Sequence, residues 1–371
     1  MHLTGDRLFA LIVLVLVVLG IALFASAALG LLARTEGASP WRLAFTQLLL
    51  GLVPGIIALI AVRFTPPKLL AKGILPLYIV ALILTALVFV PGIGQSANGA
   101  TRWINLGFTT IQPAEFIKIG TILMLSAYLA HIKTKIQSPR FGLLGLGIIV
   151  GLPSILLLLQ PNTSTVLVIG ATSLALYFLA GAKLRDIAII IATAIVGLAI
   201  LISFRPYLMD RVMTFVNPAA DPLHEGYQVQ QSLIAIGSGG LLGRGYGQSV
   251  QKFNYLPEPH GDSIFAVYGE EFGLLGTIFL VFLFLMFTAR GFMIAADAPN
   301  LFGLLAATGL TLMIAISAFM NMGAMLGVMP LTGLPLPFIS HGGTALLVTL
   351  ASVGVILNIA AHRPKVKRAV T

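Results

Sequence analysis

The apolar stretch Leu8–Leu32 (LFALIVLVLVVLGIALFASAALGLL) decides the fold class, because it runs through 25 residues without a charge. A helix of about 20 residues crosses the roughly 30 Å hydrocarbon core of a bilayer. Ala25-Ser26-Ala27 has the form of a signal-peptide cleavage site, but the apolar run continues past it and is too long for a signal peptide. We therefore expect an uncleaved membrane span.

The composition of the whole chain agrees with a membrane protein. Apolar residues make up 58% of the 371 residues, charged residues make up 9%, and the mean hydropathy is +1.02. Because soluble domains carry about 25% charged residues, we exclude a water-soluble globule, a disordered chain and a nucleic-acid-binding domain. A β-barrel would show short alternating stretches instead of long apolar runs. The chain has no Cys, which excludes disulfides and thiolate chemistry.

Ten apolar segments follow one another along the chain, and backbone in lipid must satisfy its own hydrogen bonds as helix. The sequence thus predicts an all-α polytopic membrane protein, 1–371, as a single integral membrane domain with about ten transmembrane helices. A long extracytoplasmic loop, 205–263, separates helices 7 and 8. The segments are 8–32, 41–62, 74–91, 113–130, 141–159, 163–181, 186–204, 264–289, 301–327 and 343–361.

The basic residues predict the orientation of these spans. If the N-terminus is cytoplasmic, 14 of the 22 Lys and Arg fall in cytoplasmic segments and only 3 in short outer loops. Because Lys and Arg accumulate in cytoplasmic loops, we expect both termini in the cytoplasm. The basic cytoplasmic tail, 362–371, is expected to lie near anionic lipid headgroups.

The long loop contains too many acidic residues to be only a connection between two helices. Seven of the twelve acidic residues lie between positions 205 and 271, and a loop of this length is usually functional. Its glycine-rich part, Gly237–Gly247, follows no predicted strand, so a dinucleotide site is excluded. Two uses stay open: tight backbone turns, or amides that face a lipid-linked phosphate.

Asp262 precedes the eighth span on a segment stiffened by Pro257 and Pro259. One interpretation is a helix cap, since Asp is a preferred N-cap residue. The other is a general base at the membrane surface. The two differ in their effect on pKa, because cap hydrogen bonds lower it and partial burial raises it.

Two more polar features interrupt the apolar pattern. Glu115 and Lys118 lie one turn apart on the fourth span, and an ionisable pair in a span marks either a functional site or a structural ion pair. Upstream, Trp103 suits the membrane interface and Arg102 suits an anionic headgroup or diphosphate. The proline- and glycine-rich segment 330–343, which includes Ser340, is predicted to be a re-entrant loop that lines a cavity.

These landmarks, in this order, resemble the SEDS family (shape, elongation, division and sporulation), which includes FtsW and RodA. The phrases at 226–233 and 247–252 are closer to FtsW. The chain departs from the family pattern at Thr101, Asn162 and the neighbours of Asp262. The resemblance is carried by Asn98-Gly99 with Arg102-Trp103-Ile104, Gln112-Pro113-Ala114-Glu115 with Lys118, Gln160-Pro161, Gly226-Tyr227-Gln228 with Gln231-Ser232-Leu233, the glycine-rich segment, Leu256-Pro257-Glu258 with His260 and Asp262, and 335–340 with Gly342-Gly343.

The resemblance implies a peptidoglycan glycosyltransferase of the bacterial inner (cytoplasmic) membrane that polymerises lipid II with inversion. It assigns the general-base role to Asp262, and Lys118 and Arg102 rank first as cations for the leaving diphosphate. No metal-ligand set is present in the sequence, although a divalent cation could share this work. The candidate substrate-binding residues are Glu115, Lys118, Arg102, Trp103, Arg211, Arg244, Lys252, Glu258, His260 and Ser340.

Two other functions compete with this one. A lipid II flippase or transporter would also need broken helices and a polar pair inside the membrane. A non-catalytic scaffold that recruits a transpeptidase would need only its helix surfaces. The resemblance implies a class B penicillin-binding protein as partner, together with other division or elongation proteins, lipid II and membrane lipids, and no nucleic acid.

Overall fold

A computed structural model of the protein describes residues 7–34, 48–97, 100–107, 109–217, 225–253 and 255–363. Three predicted features lie wholly or partly outside these ranges. They are the beginning of the second span at 41–47, the Asn98-Gly99 pair and the basic tail from position 364 onward.

Twelve α-helices and three short strands make up the described part of the chain, which confirms the predicted α-helical class. The helices are α1 (Arg7–Arg34), α2 (Val53–Phe64, preceded by a π-helical turn Leu48–Leu52), α3 (Pro67–Leu87), α4 (Pro113–His131), α5 (Leu143–Leu159), α6 (Thr163–Leu179), α7 (Leu184–Phe204), α8 (Pro206–Val216), α9 (Glu225–Ser238), α10 (Ile264–Ala296), α11 (Leu301–Met325) and α12 (Gly343–Ala361).

Seven of these helices are long and apolar enough to cross a membrane within the described ranges. Three shorter apolar helices, 49–64, α5 and α6, have 10–17 residues each. Each of the ten predicted segments overlaps one of these helices, and the number of helices that cross the bilayer stays a prediction.

Burial separates the central helices from the peripheral ones. In the most apolar window of α4, α11 and α12, 72%, 67% and 72% of the residues are buried, whereas the value for α7 is 0%. The first three helices therefore form the centre of the bundle, and α7 lies at its periphery with its side chains exposed. The ionisable pair of α4 lies in this centre.

A small antiparallel sheet, which the sequence analysis did not predict, connects α3 to α4. Strand β2 (Ala100–Asn105) lies between β1 (Gly94–Ala97) and β3 (Thr110–Ile111). Glycines with positive φ, Gly92 (φ 87°) and Gly107 (φ 86°), permit the turns beside the sheet. The sheet positions the Arg102 and Trp103 side chains on β2.

The glycine-rich segment Gly237–Gly247 bridges a break in α10. At Gly273 the helix has φ 65° and ψ −164°, so the regular hydrogen bonds fail there. The break leaves backbone N–H and C=O groups of α10 without partners in the helix, and backbone groups of the glycine-rich segment form hydrogen bonds with them. The four hydrogen bonds are Arg244 N to Glu270 O (3.0 Å), Gly245 N to Glu271 O (3.0 Å), Leu274 N to Gly240 O (2.9 Å) and Leu275 N to Leu241 O (3.1 Å).

This bridge explains two of the glycines in the segment. A Cβ at Gly243 would lie 2.1 Å from Glu271 O, and one at Gly239 would lie 2.1 Å from Gly269 O. The close approach of two backbones therefore requires glycine. The amides of Arg244 and Gly245 point into α10, so the alternative in which they face a lipid-linked phosphate is wrong for those two.

Candidate active site

A tight turn places Asp262 immediately before α10. Glu258 adopts the left-handed region (φ 44°), and its carbonyl accepts hydrogen bonds from Gly261 N (2.9 Å) and Ser263 N (3.3 Å). A non-glycine residue in this region stores strain and is typical of functional sites. The N-cap of α10 is Ser263, and within the described ranges no side chain caps the helix. Asp262 therefore does not cap α10, and the capping interpretation is wrong.

Asp262 is held instead from two neighbouring helices. The Gln228 Nε2 on α9 donates to Asp262 Oδ1 at 3.2 Å and to Ser263 Oγ at 2.9 Å. Asn321 Nδ2 on α11 donates to the carbonyl of Asp262 at 2.8 Å and to that of Leu334 at 2.7 Å. The main chain and the carboxyl group of Asp262 are thus fixed separately.

The environment of the Asp262 carboxyl raises its pKa to about 6. Burial is the largest cause, and the negative charge of Glu258 acts in the same direction. Hydrogen bonds from Gln228 and from the backbone of Asp262 itself, together with the positive charge of Arg211, lower the pKa and limit the rise. A carboxyl with a pKa near neutrality is suited to accept a proton from a hydroxyl group.

Two arginines lie at the same face of the protein. Arg211 on α8 interacts electrostatically with both Asp262 and Arg102, and its guanidinium lies 6.0 Å from the centre of the Tyr207 ring. Arg102 donates to the carbonyls of Gln160 (Nε, 3.2 Å) and Pro161. Burial and the nearby Arg211 lower the pKa of Arg102. Two cations this close to each other make the face a candidate site for an anion.

Segment 330–343 closes over the Asp262 turn. The Ser340 hydroxyl donates to Gly261 O (2.7 Å) and accepts from Leu336 N (2.7 Å). His341 N donates to His260 O at 2.8 Å. These contacts place Ser340 and His260 beside Asp262, and Ser340 acts there through the backbone that it positions.

Glu115 and Lys118 reach the same segment from deeper in the bundle. Their side chains are about 5% and 7% exposed, and Lys118 Nζ lies 2.8 Å from Glu115 Oε1. Both line a cavity of about 20 Å³, enough for one water molecule. The cavity is also lined by Ser317, Leu334, Pro335, Pro337 and Thr349.

Lys252 and Arg244 have partners on α10. Lys252 is fully buried, and its Nζ donates to Ser26 Oγ, Gly247 O and Glu271 Oε1, each at 2.8 Å. An ammonium group has three N–H donors, so none is left for a diphosphate. The Nε of Arg244 lies 3.4 Å from Glu270 Oε1. Lys252 therefore has a structural role in place of the predicted contact with substrate, whereas the Arg244 side chain is 43% exposed and its substrate contact stays a prediction.

The remaining candidates lie around the turn and on the sheet. His260 Nε2 is 4.0 Å from Glu258 Oε2, and the Glu258 side chain is 56% exposed. Trp103 is half-buried on β2, where it pairs with Gln95. Within the ranges that the structure covers, no group of three or more His, Asp or Glu could hold a metal ion. Participation of a divalent cation stays a prediction.

Sequence reasoning missed the importance of Gln228 and Asn321. Gln228 was part of the motif Gly226-Tyr227-Gln228, but an uncharged amide gives no sign of its partner. Asn321 carried a clearer signal, since a polar residue inside an apolar span usually bonds to a neighbouring helix. Its side chain is only 1% exposed.

The fold and the site define a polytopic α-helical membrane protein with a carboxyl and two arginines at one end of the bundle. Residues 6–365 match the model of the cell cycle protein family FtsW/RodA/SpoVE. The chain belongs to this family, as the sequence resemblance predicted.

Individual relatives are similar in sequence to this protein over most of its length. The probable peptidoglycan glycosyltransferase FtsW of Halothiobacillus neapolitanus is 38% identical over 358 residues, which cover 95% of this chain and 86% of that protein. The stage V sporulation protein E of Bacillus subtilis is 39% identical over 77% of this chain and 78% of its own length.

Solved structures share the architecture. A chain from a peptidoglycan synthase complex that coordinates polymerization and crosslinking has a TM-score of 0.81 and 29% identity, covering 98% of this chain and 100% of that chain. The rod shape determining protein RodA of Thermus thermophilus has a TM-score of 0.72 and 28% identity over 97% of this chain and 98% of its own.

Proposed function

We propose that the protein is a peptidoglycan glycosyltransferase that polymerises lipid II, with Asp262 as the general base. The names of the FtsW relatives support the activity. One observation carries the assignment of the base. The Asp262 carboxyl, with a pKa raised to about 6 by burial, lies at the same face as Arg211 and Arg102.

The reaction is a single displacement. The 4-hydroxyl oxygen of the acceptor GlcNAc forms a bond to the anomeric carbon of the donor MurNAc. The bond from that carbon to the diphosphate breaks, and undecaprenyl diphosphate leaves with the electron pair. Asp262 takes the hydroxyl proton, which contributes roughly 10²–10⁴-fold to the rate. An α-linked donor then gives a β-1,4 bond, and inversion needs no covalent sugar–enzyme intermediate.

The arginines supply the positive charge that the leaving group needs. Negative charge develops on the diphosphate as the bond breaks, and preorganised cations stabilise it best. Arg211 and Arg102 are preferred for this role because Arg211 acts electrostatically on Asp262 and on Arg102, whereas Lys252 is fully buried against Glu271. Lys118, also predicted as a cation for the diphosphate, is paired with Glu115 in a cavity that holds about one water molecule, so we rank it after the two arginines.

The partner and location follow from the same family. A class B penicillin-binding protein is the expected partner in division or elongation, and the match to a chain of a peptidoglycan synthase complex supports a partnered enzyme. We place the protein in the bacterial inner membrane with both termini in the cytoplasm, on the basis of its basic loops.

The test is polymerisation of labelled lipid II by purified protein in detergent, with and without the partner and a chelator. We expect Asp262→Asn to keep its fold and to lose at least about 10²-fold of the activity. Asp210→Asn is the matched control, because Asp210 is an exposed acid on α8 and the change in charge is identical.

Three outcomes would contradict the proposal. Asp262→Asn protein that polymerises at the wild-type rate would exclude Asp262 as the base. Wild-type protein that moves lipid II across vesicles without polymerising it would indicate a transporter. A wild-type complex in which only the partner forms glycan strands would indicate a scaffold. Loss of activity on chelation would add a divalent cation to the site.

A further inference from the structure

Gln228 makes a contact that the proposed mechanism has not used. Its single amide nitrogen donates one hydrogen bond to the carboxyl of Asp262 and another to the hydroxyl of Ser263. An ionised carboxylate only accepts hydrogen bonds, so the amide nitrogen must face it. Ser263 is fully buried, and it therefore gives the amide a fixed second anchor.

This amide is the one side chain in the described ranges that donates to the Asp262 carboxyl. The charged groups facing that carboxyl are Glu258 in the preceding turn and Arg211 on α8. From α11, the neutral Asn321 bonds only to the main-chain oxygen of Asp262. The carboxyl also accepts a hydrogen bond from the backbone of Asp262 itself, so Gln228 is the side chain that adds to this local contact and orients the carboxyl plane from a neighbouring helix.

The second carboxyl oxygen faces a different neighbour. A Cβ built on Gly333 would lie 4.0 Å from Asp262 Oδ2, and Gly333 has φ 61°. Gly333 therefore puts no side chain against Oδ2 on the side of segment 330–343. The amide of Gln228 thus holds one oxygen, and the neighbouring position 333 presents no side chain to the other.

We propose that Gln228 is the positioning residue of the general base, holding Asp262 Oδ1 so that Oδ2 receives the proton of the acceptor hydroxyl. This inference rests on the proposed function, because it assigns a role within the same reaction. A neutral donor suits the task. A lysine or arginine at this position would neutralise the base and weaken it, whereas an amide orients the carboxyl and leaves its charge.

Removal of the amide has a measurable consequence. The hydrogen bond stabilises the ionised form of Asp262, so its loss raises the pKa of the carboxyl. The base works in its ionised form, and the acid limb of the pH–rate profile must then move to higher pH. A purely structural residue would lower activity at every pH and leave the limb in place.

The experiment compares Gln228→Met and Gln228→Glu with wild type in the detergent polymerisation assay between pH 5 and 9. Methionine keeps the length of the side chain without a donor. In Gln228→Met we expect the midpoint of the acid limb to move to higher pH by about one unit. In Gln228→Glu we expect it to move further, because a second negative charge faces the base. The KM for lipid II should change by less than about twofold. Gln248→Glu and Gln248→Met, on an exposed residue of the same loop, should match wild type.

The outcomes separate this inference from the proposed function. An acid limb that stays at its wild-type position in folded Gln228 variants would overturn the inference while Asp262 keeps its role. Polymerisation by Asp262→Asn would overturn both. Ser263→Ala provides a second variant if the Gln228 variants do not fold. It frees the amide from its anchor, and it should move the limb in the same direction by a smaller amount.

Discussion

Asp262 changes its charge close to neutral pH, because burial raises its pKa to about 6. A general base is active when ionised, so polymerisation should rise with pH through about 6 and fall by about tenfold per unit below it. Initial rates at saturating lipid II would measure this. A rate that is flat between pH 5 and 7 would contradict the assignment.

A change at Glu258 should shift the pKa of the Asp262 carboxyl in the opposite direction to a change at Gln228. Its negative charge raises the pKa of Asp262, so Glu258→Gln should move the acid limb to lower pH. We expect a shift smaller than one unit, since the Glu258 side chain is 56% exposed and solvent screens its charge. A shift towards higher pH would show that Glu258 acts on Asp262 by another route.

The buried pair of Lys252 and Glu271 predicts a loss of stability. Lys252→Met would leave the Glu271 carboxyl, which is fully enclosed, without its cation, and breaking such a pair costs about 3–5 kcal/mol. Arg244→Met is the control, because the Arg244 side chain is 43% exposed and pairs of that kind contribute about 1 kcal/mol or less. Thermal unfolding in detergent, followed by circular dichroism, would compare the two.

Among the elements, the bridge across the break in α10 is the least obvious from sequence and the easiest to test. Gly243 and Gly247 both have φ 80°, but only at Gly243 would a Cβ meet the carbonyl of Glu271. Gly247→Ala should cost about 1–2 kcal/mol for the left-handed backbone. Gly243→Ala should cost about 1–3 kcal/mol more.

Hydrogen exchange would locate this damage. We expect the amides of Leu274 and Leu275 to exchange faster in Gly243→Ala, because their acceptors lie on the bridge. Equal exchange in the Gly243 and Gly247 variants would show that the bridge does not hold the break.

The helices could be predicted from sequence and the break could not, for a physical reason. Apolar runs report the lipid environment directly, so segments such as 301–327 and 343–361 come close to α11 and α12. Gly273 lies in a run that is apolar on its C-terminal side, and its φ depends on a distant glycine segment. The sheet at 94–111 pairs residues that are close in sequence, such as Ile104 and Ile111. Its strands have only 4, 6 and 2 residues, which are too few to show a clear alternating pattern in the sequence.

For the whole molecule, the absence of Cys makes the predicted orientation testable by labelling. Thr134→Cys, in the exposed turn after α4, should be protected from a membrane-impermeant maleimide in intact cells. Gln248→Cys, in the loop before α10, should react. Labelling of both after lysis is the control, and the reverse pattern would overturn the predicted orientation.

Part of the candidate site could be predicted from the sequence. Asp262 was found because an acid follows a stiff proline segment just before an apolar helix. Charge alone also suggested Lys252, but it could not show that Glu271 lies opposite it. The environment of a cation is set by its tertiary neighbours, and these are not encoded in local sequence.

The helix α7 stands apart from the rest of the molecule. Asp186, in its first turn, is its only buried residue, and Ile195 and Phe204 are 62% and 79% exposed. Lipid tails are as apolar as these side chains, so exchanging one hydrocarbon side chain for another there should leave stability unchanged. A spectroscopic probe attached midway along α7 would therefore report the fluidity and order of the acyl chains, and almost nothing of the protein.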